Sequence, residues 1–274
     1  MTVLSQMQTF SQAFGKVLTI HNQTWQYYCL GQGSPILWLT GGLRRAAFGF
    51  RFMQELAKKH TVLAPDYPPV MTIIEYLDAF DSILRAEGMD RVTLGGQSYG
   101  GLLAQAYLAY KPQAVERLIL SSTGPASYGR GWLPVETLII ALAHVLPERT
   151  LKNMLAGGLA KAITVPESER AEWMDALDAV MTNELTRADV ISHFAVAADL
   201  IRRQLTKPSA FQSWTGRIVV LSAKNDPTQS KSDFPKYAAL FGRAVDVLDM
   251  GSMGHTAALY DPVRYVELLE QAMS

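Results

Sequence analysis

Residues 94–101 read Leu-Gly-Gly-Gln-Ser-Tyr-Gly-Gly, a Gly-x-Ser-x-Gly sequence set between a predicted strand and a predicted helix. A strand that turns abruptly into a helix holds the serine in a strained conformation and lifts its hydroxyl above the sheet edge. Side chains at Gly96 and Gly100 would collide across such a turn, so both positions require glycine. The helix start offers unpaired N–H groups and a favourable dipole to an anion forming beside Ser98. The pattern predicts a nucleophilic serine; the alternative is a glycine-rich turn that happens to contain one.

Around this turn, short apolar runs alternate with helical patterns. Apolar, β-branched runs predict strands, and apolar residues at helical spacing predict helices. The repeated order strand, helix, strand predicts parallel pairing with right-handed crossovers, hence an α/β sheet covered on both faces after a hairpin-like start. The predicted strands are residues 16–20, 25–30, 36–40, 61–64, 91–94, 115–120, 217–223 and 245–248, and the predicted helices of the sheet region are 50–59, 73–86, 102–110, 234–241 and 262–273.

The strand pattern stops between residues 124 and 209, where only helical segments separated by prolines are predicted. A helical block inserted between two sheet strands is typical of a cap rather than of a separate, linker-bounded domain. We therefore predict a core domain of residues 1–123 and 210–274 and a helical cap of residues 124–209. The sequence contains no internal repeat, charge run or low-complexity segment.

Charge and composition exclude several classes of protein. The 274 residues include 25 Lys and Arg against 25 Asp and Glu, and 49% are hydrophobic, which is typical of a globular chain. Without a basic excess to replace the counterions of a phosphate backbone, we expect no nucleic-acid partner. The sequence contains no dense His/Cys cluster and no phosphate-binding glycine loop with a lysine, so we expect no metal and no organic cofactor.

Membrane insertion and secretion are not expected either. The longest apolar stretch, residues 138–146, is interrupted by His144 and is far shorter than the ~20 residues that span a bilayer. The N-terminal residues lack the basic start and apolar segment of a signal peptide. The one cysteine, Cys29, has no partner within the chain and lies in an alternating strand pattern, as an inert thiol would. We therefore expect a cytoplasmic protein.

A serine hydroxyl needs a base to remove its proton and an acid to orient that base. Asp226 follows predicted strand 217–223, and His255 follows predicted strand 245–248, so both lie past the carboxyl ends of strands, where ligand sites collect. The order Ser98, Asp226, His255 suits a catalytic triad on such a sheet. For Asp226 the alternative is a turn former before Pro227. The weaker acid candidates are Asp233, Asp246 and Asp249; the other histidines are His21, His60, His144 and His193, of which His193 is a candidate for the pocket roof.

Acyl chemistry also needs N–H donors for an oxyanion. One should be the N–H of Tyr99, directly after the serine. The second should come from the loop after the third strand, where we choose Gly42, with Leu43 as the alternative if the register shifts by one residue. Arg44 and Arg45 follow and would either attract an anionic substrate or lie on the surface.

Taken together, these residues resemble the α/β-hydrolase superfamily over nearly the whole chain. The segment from Ala64-Pro-Asp-Tyr-Pro-Pro to Gly-Gly-Leu-Leu-Ala-Gln105 is similar to the maspardin-like branch. The motif Gly-Gln-Ser-Tyr-Gly-Gly is similar to the same turn in proline-iminopeptidase relatives. Two departures from the common pattern stand out. Thr40-Gly41 replaces a His-Gly pair, and residues 66–72 replace an Asp-x-x-Gly-x-Gly-x-Ser segment.

The resemblance and the triad predict a serine hydrolase that cleaves a small ester, thioester or amide. The alternative is a non-catalytic ligand-binding or adaptor protein on the same scaffold, since fold does not fix function. An aminopeptidase-like activity would need a cap carboxylate for the substrate amine, for which the cap offers Glu136, Glu148, Glu167, Glu169 and Glu172.

Apolar residues of the cap suggest a hydrophobic acyl pocket and a small-molecule substrate with an apolar acyl group. The alternative is ordinary packing of cap helices on the sheet. The candidate pocket residues are Leu138, Ile139, Ile140, Leu142, Leu146, Met154 and Leu155. The sequence does not decide whether the protein forms a homodimer through the cap.

Overall fold

Strands and helices alternate along the computed structural model, which describes residues 1–127 and 130–274; Tyr128 and Gly129, within the predicted cap, lie outside the described residues. The strands are β1 (Gly15–Ile20), β2 (Gln23–Leu30), β3 (Ser34–Leu39), β4 (His60–Pro65), β5 (Val92–Gln97), β6 (Val115–Ser121), β7 (Arg217–Ser222) and β8 (Asp246–Asp249). The α-helices are α1 (Val3–Phe14), α2 (Phe50–Leu56), α3 (Ile73–Ala86), α4 (Tyr99–Tyr110), α5 (Leu133–Val145), α6 (Glu148–Ala162), α7 (Arg170–Asn183), α8 (Arg187–Arg203), α9 (Phe234–Phe241), α10 (Ala257–Tyr260) and α11 (Pro262–Met273).

In the described chain the strands form one eight-stranded sheet in the order β1-β2-β4-β3-β5-β6-β7-β8. The β1–β2 and β2–β4 pairs are antiparallel, and the remaining pairs are parallel. Helices α1, α2 and α11 bury their apolar residues on one face of the sheet, and α3, α4 and α9 on the other. The predicted α/β sheet covered on both faces is confirmed.

Local sequence explains where several elements begin and end. His21 and Asn22 have φ of 48° and 62°, the paired positive values of a two-residue turn whose twist suits an antiparallel hairpin. Thr72 accepts the N–H of Glu75 while the Glu75 carboxylate accepts the N–H of Thr72, and this reciprocal capping starts α3. Helix α9 ends at Gly242, whose φ of 68° glycine adopts without strain.

The N-terminal helix α1 was not predicted. Its buried residues Val3, Met7 and Phe10 are spaced along one helical face and pack into the same core cluster as α2. Thr2 caps the helix by accepting the N–H of Ser5. Glutamines separate these apolar residues, so the segment contains no continuous apolar run that would predict the helix.

Between β6 and β7 the described chain is helical, with α5 packed against α8 and α6 against α7. Thr186 and Asp189 form a capping box at the start of α8. Much of α5 faces outward, since the side chains of Leu138 and Leu142 are 60% and 42% exposed. Across the described ranges, no helix has both the length and the apolar character needed to cross a membrane.

Candidate active site

The turn from β5 into α4 has the strained geometry that the sequence predicts. Ser98 has φ 54° and ψ −119°, a conformation that costs a residue with a side chain on the order of 1–3 kcal/mol. A Cβ on Gly96 would strike the carbonyl oxygen of Gly100, and one on Gly100 would strike the carbonyl oxygen of Leu39. Both glycines are therefore required for the close approach of β3, β5 and α4 that projects Ser98.

The loops after β7 and β8 bring Asp226 and His255 together. Oδ1 of Asp226 lies 3.0 Å from Nδ1 of His255, and both side chains are buried. The backbone N–H and the hydroxyl of Thr228 also donate to Oδ1, each at 2.8 Å. Three donors therefore hold this carboxylate oxygen in place beside the imidazole.

The protonation state of Asp226 determines the tautomer of the histidine. Burial alone would raise the pKa of Asp226, but the hydrogen bond and charge of His255, together with the N–H of Thr228, lower it to about 2. The carboxyl is therefore ionised near neutral pH and can only accept hydrogen bonds. In the neutral imidazole of His255, Nδ1 must carry the hydrogen that points at Asp226, which leaves Nε2 as an acceptor.

Gln97 reaches the other side of the histidine. Its Nε2 donates to the carbonyl oxygen of His255 at 3.1 Å and lies 3.3 Å from Nε2 of the same residue. Its Oε1 occupies the space that a side chain on Gly41 would need. Gln97 thus contacts both the loop after β3 and His255. The Ser98 hydroxyl makes no hydrogen bond within the described chain.

The loop after β3 lies beside the start of α4. Gly42, Leu43 and Tyr99 all line the same cavity as Ser98. Within the described residues, the backbone N–H groups of these three positions donate to no acceptor of the protein. They are available to a bound oxyanion, and the choice between Gly42 and Leu43 as the second donor remains a prediction.

Arg44 lies inside the protein and neither attracts substrate at the surface nor sits in solvent. It is 2% exposed, and its Nη2 donates to the carbonyl oxygen of Pro68 at 2.8 Å and to Oγ of Ser192 at 3.0 Å. Its Nε lies 3.5 Å from Oδ1 of Asp189. Because Asp189 and Ser192 belong to α8, this network fastens α8 to the loop after β3.

Arg45, by contrast, lines the cavity while forming ion pairs with Glu184 at 3.4 Å and with Asp189 at 3.5 Å. Its charge is therefore compensated by Glu184 and by Asp189, which Arg45 shares with Arg44. An anionic substrate would compete with both of them.

Ser98, Gly42, Tyr99 and His255 line one cavity of about 310 Å³. Its apolar walls come from the segment between β3 and β4 and from the chain between β6 and β7, and include Phe48, Phe52, Leu155, Leu159, Ile163 and Leu177. The cavity lies at the carboxyl ends of the parallel strands, as ligand sites in such sheets do. A volume near the lower limit for ligand pockets suits a small, largely apolar molecule.

Most of the cap residues predicted to form the acyl pocket do not line this cavity. Of the seven, Leu155 does, whereas Leu138, Leu142 and Met154 are exposed at the surface. The prediction is wrong for these three because helical spacing does not tell which face of a helix turns inward. The cavity is lined instead by Leu159, Ile163 and Leu177, which the sequence did not indicate.

The other candidate acids, and His60 among the histidines, lie away from the cavity. Asp233 pairs with Lys236 and Asp246 with Arg217, each at 2.8 Å, and Asp249 accepts the N–H of Gly251 at 2.7 Å. His60 lies 3.0 Å from Glu270. His193 lines the cavity, as the sequence suggested for the pocket roof.

The candidate cap carboxylates are also dispersed. Glu169 pairs with Arg51, Glu172 accepts the N–H of Val3, and Glu148 lies 3.3 Å from Lys152. Glu136 lines a separate, smaller cavity. None of the five lines the cavity that holds Ser98.

A sequence model described as the alpha/beta hydrolase family matches residues 34–268. The chain belongs to the alpha/beta hydrolase family. Membership supports hydrolase activity in general, and the resemblance deduced from the Ser98 turn is confirmed.

Two relatives in sequence agree with the two resemblances noted above. The chain is 27% identical over 172 residues to maspardin of Danio rerio, covering 60% of this chain and 54% of that protein. It is 31% identical over 120 residues to proline iminopeptidase of Lactobacillus delbrueckii subsp. bulgaricus, covering 36% of this chain and 41% of that protein. The matched region thus spans about half the length, or less, of these curated relatives.

Solved alpha/beta hydrolase structures share the fold. A hydrolase from Pseudomonas aeruginosa PA01 superposes with a TM-score of 0.75 at 18% identity, covering 95% of this chain and 98% of that one.

Two residues of the site were missed by sequence reasoning. Gln97 stands inside the Gly-x-Ser-x-Gly sequence, and Thr228 stands two residues after Asp226. Their positions could have marked them as neighbours of the site. Their roles depend on tertiary contacts with His255, which lies 158 and 27 residues away in sequence.

Proposed function

We propose that this protein is a serine hydrolase that cleaves a small ester, thioester or amide with an apolar acyl group. The observation that carries the proposal is the strained Ser98 in one cavity with a His255 whose Nδ1 is held by Asp226. A serine in a strained turn can, by itself, have a purely structural role. A serine facing a cavity together with an oriented imidazole has the arrangement of an activated nucleophile.

In the proposed reaction, the Ser98 oxygen attacks the carbonyl carbon while Nε2 of His255 takes the hydroxyl proton. Asp226 stabilises the imidazolium that forms and keeps its own charge. The N–H groups of Tyr99 and of Gly42 donate to the oxyanion of the tetrahedral intermediate. The proton on Nε2 then passes to the leaving group, and the acyl group stays on Ser98.

Water completes the cycle. His255 removes a proton from the water as it attacks the acyl carbon, and returns that proton to the Ser98 oxygen when the acid leaves. The Gln97 amide, 3.3 Å from Nε2, must give way or turn aside when Ser98 and the substrate approach the imidazole. The apolar walls at Phe48, Leu159 and Leu177 support an uncharged acyl group rather than a polar one.

Hydrolysis of p-nitrophenyl esters from acetate to laurate tests the proposal. We expect turnover by the wild type and a loss of about 10³-fold or more in kcat in Ser98→Ala and in His255→Ala. Ser213→Ala, which changes an exposed serine away from the cavity, is the matched control and should keep the wild-type rate. Wild-type rates in folded Ser98→Ala would contradict the mechanism.

A fluorophosphonate probe separates this proposal from the ligand-binding alternative. A hydrolase with an activated Ser98 should be labelled at that residue, and Ser98→Ala should not be labelled. A folded wild type that neither hydrolyses any ester nor reacts with the probe would favour a binding protein on a hydrolase scaffold.

A further inference from the structure

Two cavities meet at the rings of His193 and Tyr99. One is the cavity of about 310 Å³ that contains Ser98, and the other has a volume of about 200 Å³. Of the residues that line them, these two are common to both. Nothing in the proposed reaction uses the second cavity.

Contacts on both sides hold the ring of His193 in place. It stacks on Tyr99 with centroids 4.0 Å apart and meets Phe194 edge-on at 5.0 Å. The Tyr99 hydroxyl donates to the carbonyl oxygen of His193 at 3.2 Å. The preceding residue, Ser192, is fixed by hydrogen bonds with Arg44 and with the carbonyl oxygen of Val70. The ring is therefore a rigid part of the wall.

The same ring also packs against the loop after β3. Cε1 of His193 lies 3.3 Å from where a Cβ on Gly42 would be, which leaves no passage for a chain between them. Burial and the nearby guanidinium of Arg44 lower the pKa of His193 to about 3. The wall is therefore uncharged at neutral pH, so the barrier it presents is one of size.

The second cavity is lined mainly by apolar side chains. Apart from the two shared rings it includes Leu102, Phe194, Ala197 and Ile201. Its acidic member is Glu136, whose Oε2 is buried and has no hydrogen-bond partner in the described chain. A negatively charged chain end would be repelled there, whereas an uncharged alkyl group would bury apolar surface.

We propose that His193 is a specificity-determining residue, whose ring separates the Ser98 cavity from an apolar subsite and thereby limits the size of substrate accepted. The inference rests on the proposed serine hydrolase function and deepens it. In the wild type, a substrate chain directed towards α8 ends at the ring. Removal of the ring joins the two cavities and extends the site for an uncharged, apolar group.

The test is the chain-length profile of kcat/KM for p-nitrophenyl esters in the wild type, His193→Ala and His193→Phe. We expect His193→Ala to favour longer esters, with about a fourfold gain in kcat/KM for each additional methylene that becomes buried. His193→Phe keeps a ring in the wall and should retain the wild-type ratio of long to short esters. An ester of equal length that ends in a carboxylate should gain nothing in His193→Ala.

A second change tests whether the gain comes from the second cavity. Ala197→Leu adds bulk to the wall of that cavity and should leave the wild-type profile unaltered, because the ring already closes the space. In His193→Ala it should cancel the gain for long esters. Should His193→Ala not fold, His193→Ser supplies the same opening with a polar side chain.

Three results would overturn the inference. A folded, probe-reactive His193→Ala with the wild-type profile would show that the ring sets no limit. A shift in His193→Phe equal to that in His193→Ala would assign the effect to the imidazole nitrogens. A wild type without ester turnover and without fluorophosphonate labelling would overturn the proposed function, and this inference with it.

Discussion

Oδ1 of Asp226 lies 3.0 Å from Nδ1 of His255, and the two residues are 29 positions apart in the sequence. The two loops that carry them follow β7 and β8, which are neighbouring parallel strands. Their carboxyl ends therefore place both side chains at one edge of the sheet. The ionised carboxylate holds one hydrogen on Nδ1 and so leaves Nε2 able to take another.

Replacing this carboxylate should disturb the tautomer rather than the fold. We expect Asp226→Asn to lower kcat by about 10⁴-fold, since an amide can present N–H to Nδ1 and reverse the roles of the two ring nitrogens. Asp249→Asn, at the exposed last residue of β8, is the matched control and should keep wild-type kinetics. Steady-state ester hydrolysis measures both, and a silent Asp226→Asn would direct attention to another acid.

Gln97 is expected to act as a positioning residue through His255. Its Nε2 donates to the carbonyl oxygen of His255, so Gln97→Leu should let the histidine loop relax and lower kcat about tenfold with little change in KM. Gln97→Glu keeps the length of the side chain while replacing the donor by an acceptor, and should be at least as damaging. A KM raised about tenfold with kcat unchanged would instead assign Gln97 to substrate binding.

Ser98, Asp226 and His255 could be selected from sequence because each depends on local rules. The glycines at 96 and 100 are required by a turn that closes within five residues. Asp226 follows the apolar run of predicted strand 217–223, and His255 follows the shorter predicted strand 245–248. Parallel strands then bring their loops together without further information. The sheet itself was predicted for the same reason.

The parts that sequence could not supply depend on which way a helix or side chain faces. Leu138 and Leu155 both belong to apolar helical patterns, yet the first is exposed and the second lines the cavity. From the sequence alone, Arg44 resembles a surface residue. In the structure α8 covers it, and its contacts with Asp189 and Ser192 explain its burial. These contacts join segments more than 140 residues apart, beyond the reach of periodicity.

The glycine at position 100 should contribute to the stability of the fold as well as to the site. Gly100→Ala places a Cβ against the carbonyl oxygen of Leu39 in the central strands, so we expect a lower free energy of unfolding by about 1–3 kcal/mol. Gly157→Ala is the matched control, because this helical glycine of α6 faces open space and alanine should stabilise it by about 0.5–1 kcal/mol. Urea unfolding measures both, and equal effects of the two substitutions would contradict the steric account.

The buried carboxyl of Asp66 should make stability fall as pH rises. Burial raises its pKa to about 7, against the lowering effects of Arg45 and the N–H of Ala46, which donates to Oδ1 at 2.6 Å. Between about pH 4 and pH 7 the folded chain holds a proton that the unfolded chain has released, so the contribution of Asp66 to stability is complete below this window and is lost across it. Asp66→Asn keeps an acceptor for Ala46 without titrating, and its stability relative to wild type should rise by on the order of a few kcal/mol between pH 5 and pH 8. Urea unfolding at both pH values measures this, with the exposed Asp90→Asn as control; a difference between mutant and wild type that does not change with pH would contradict the assignment.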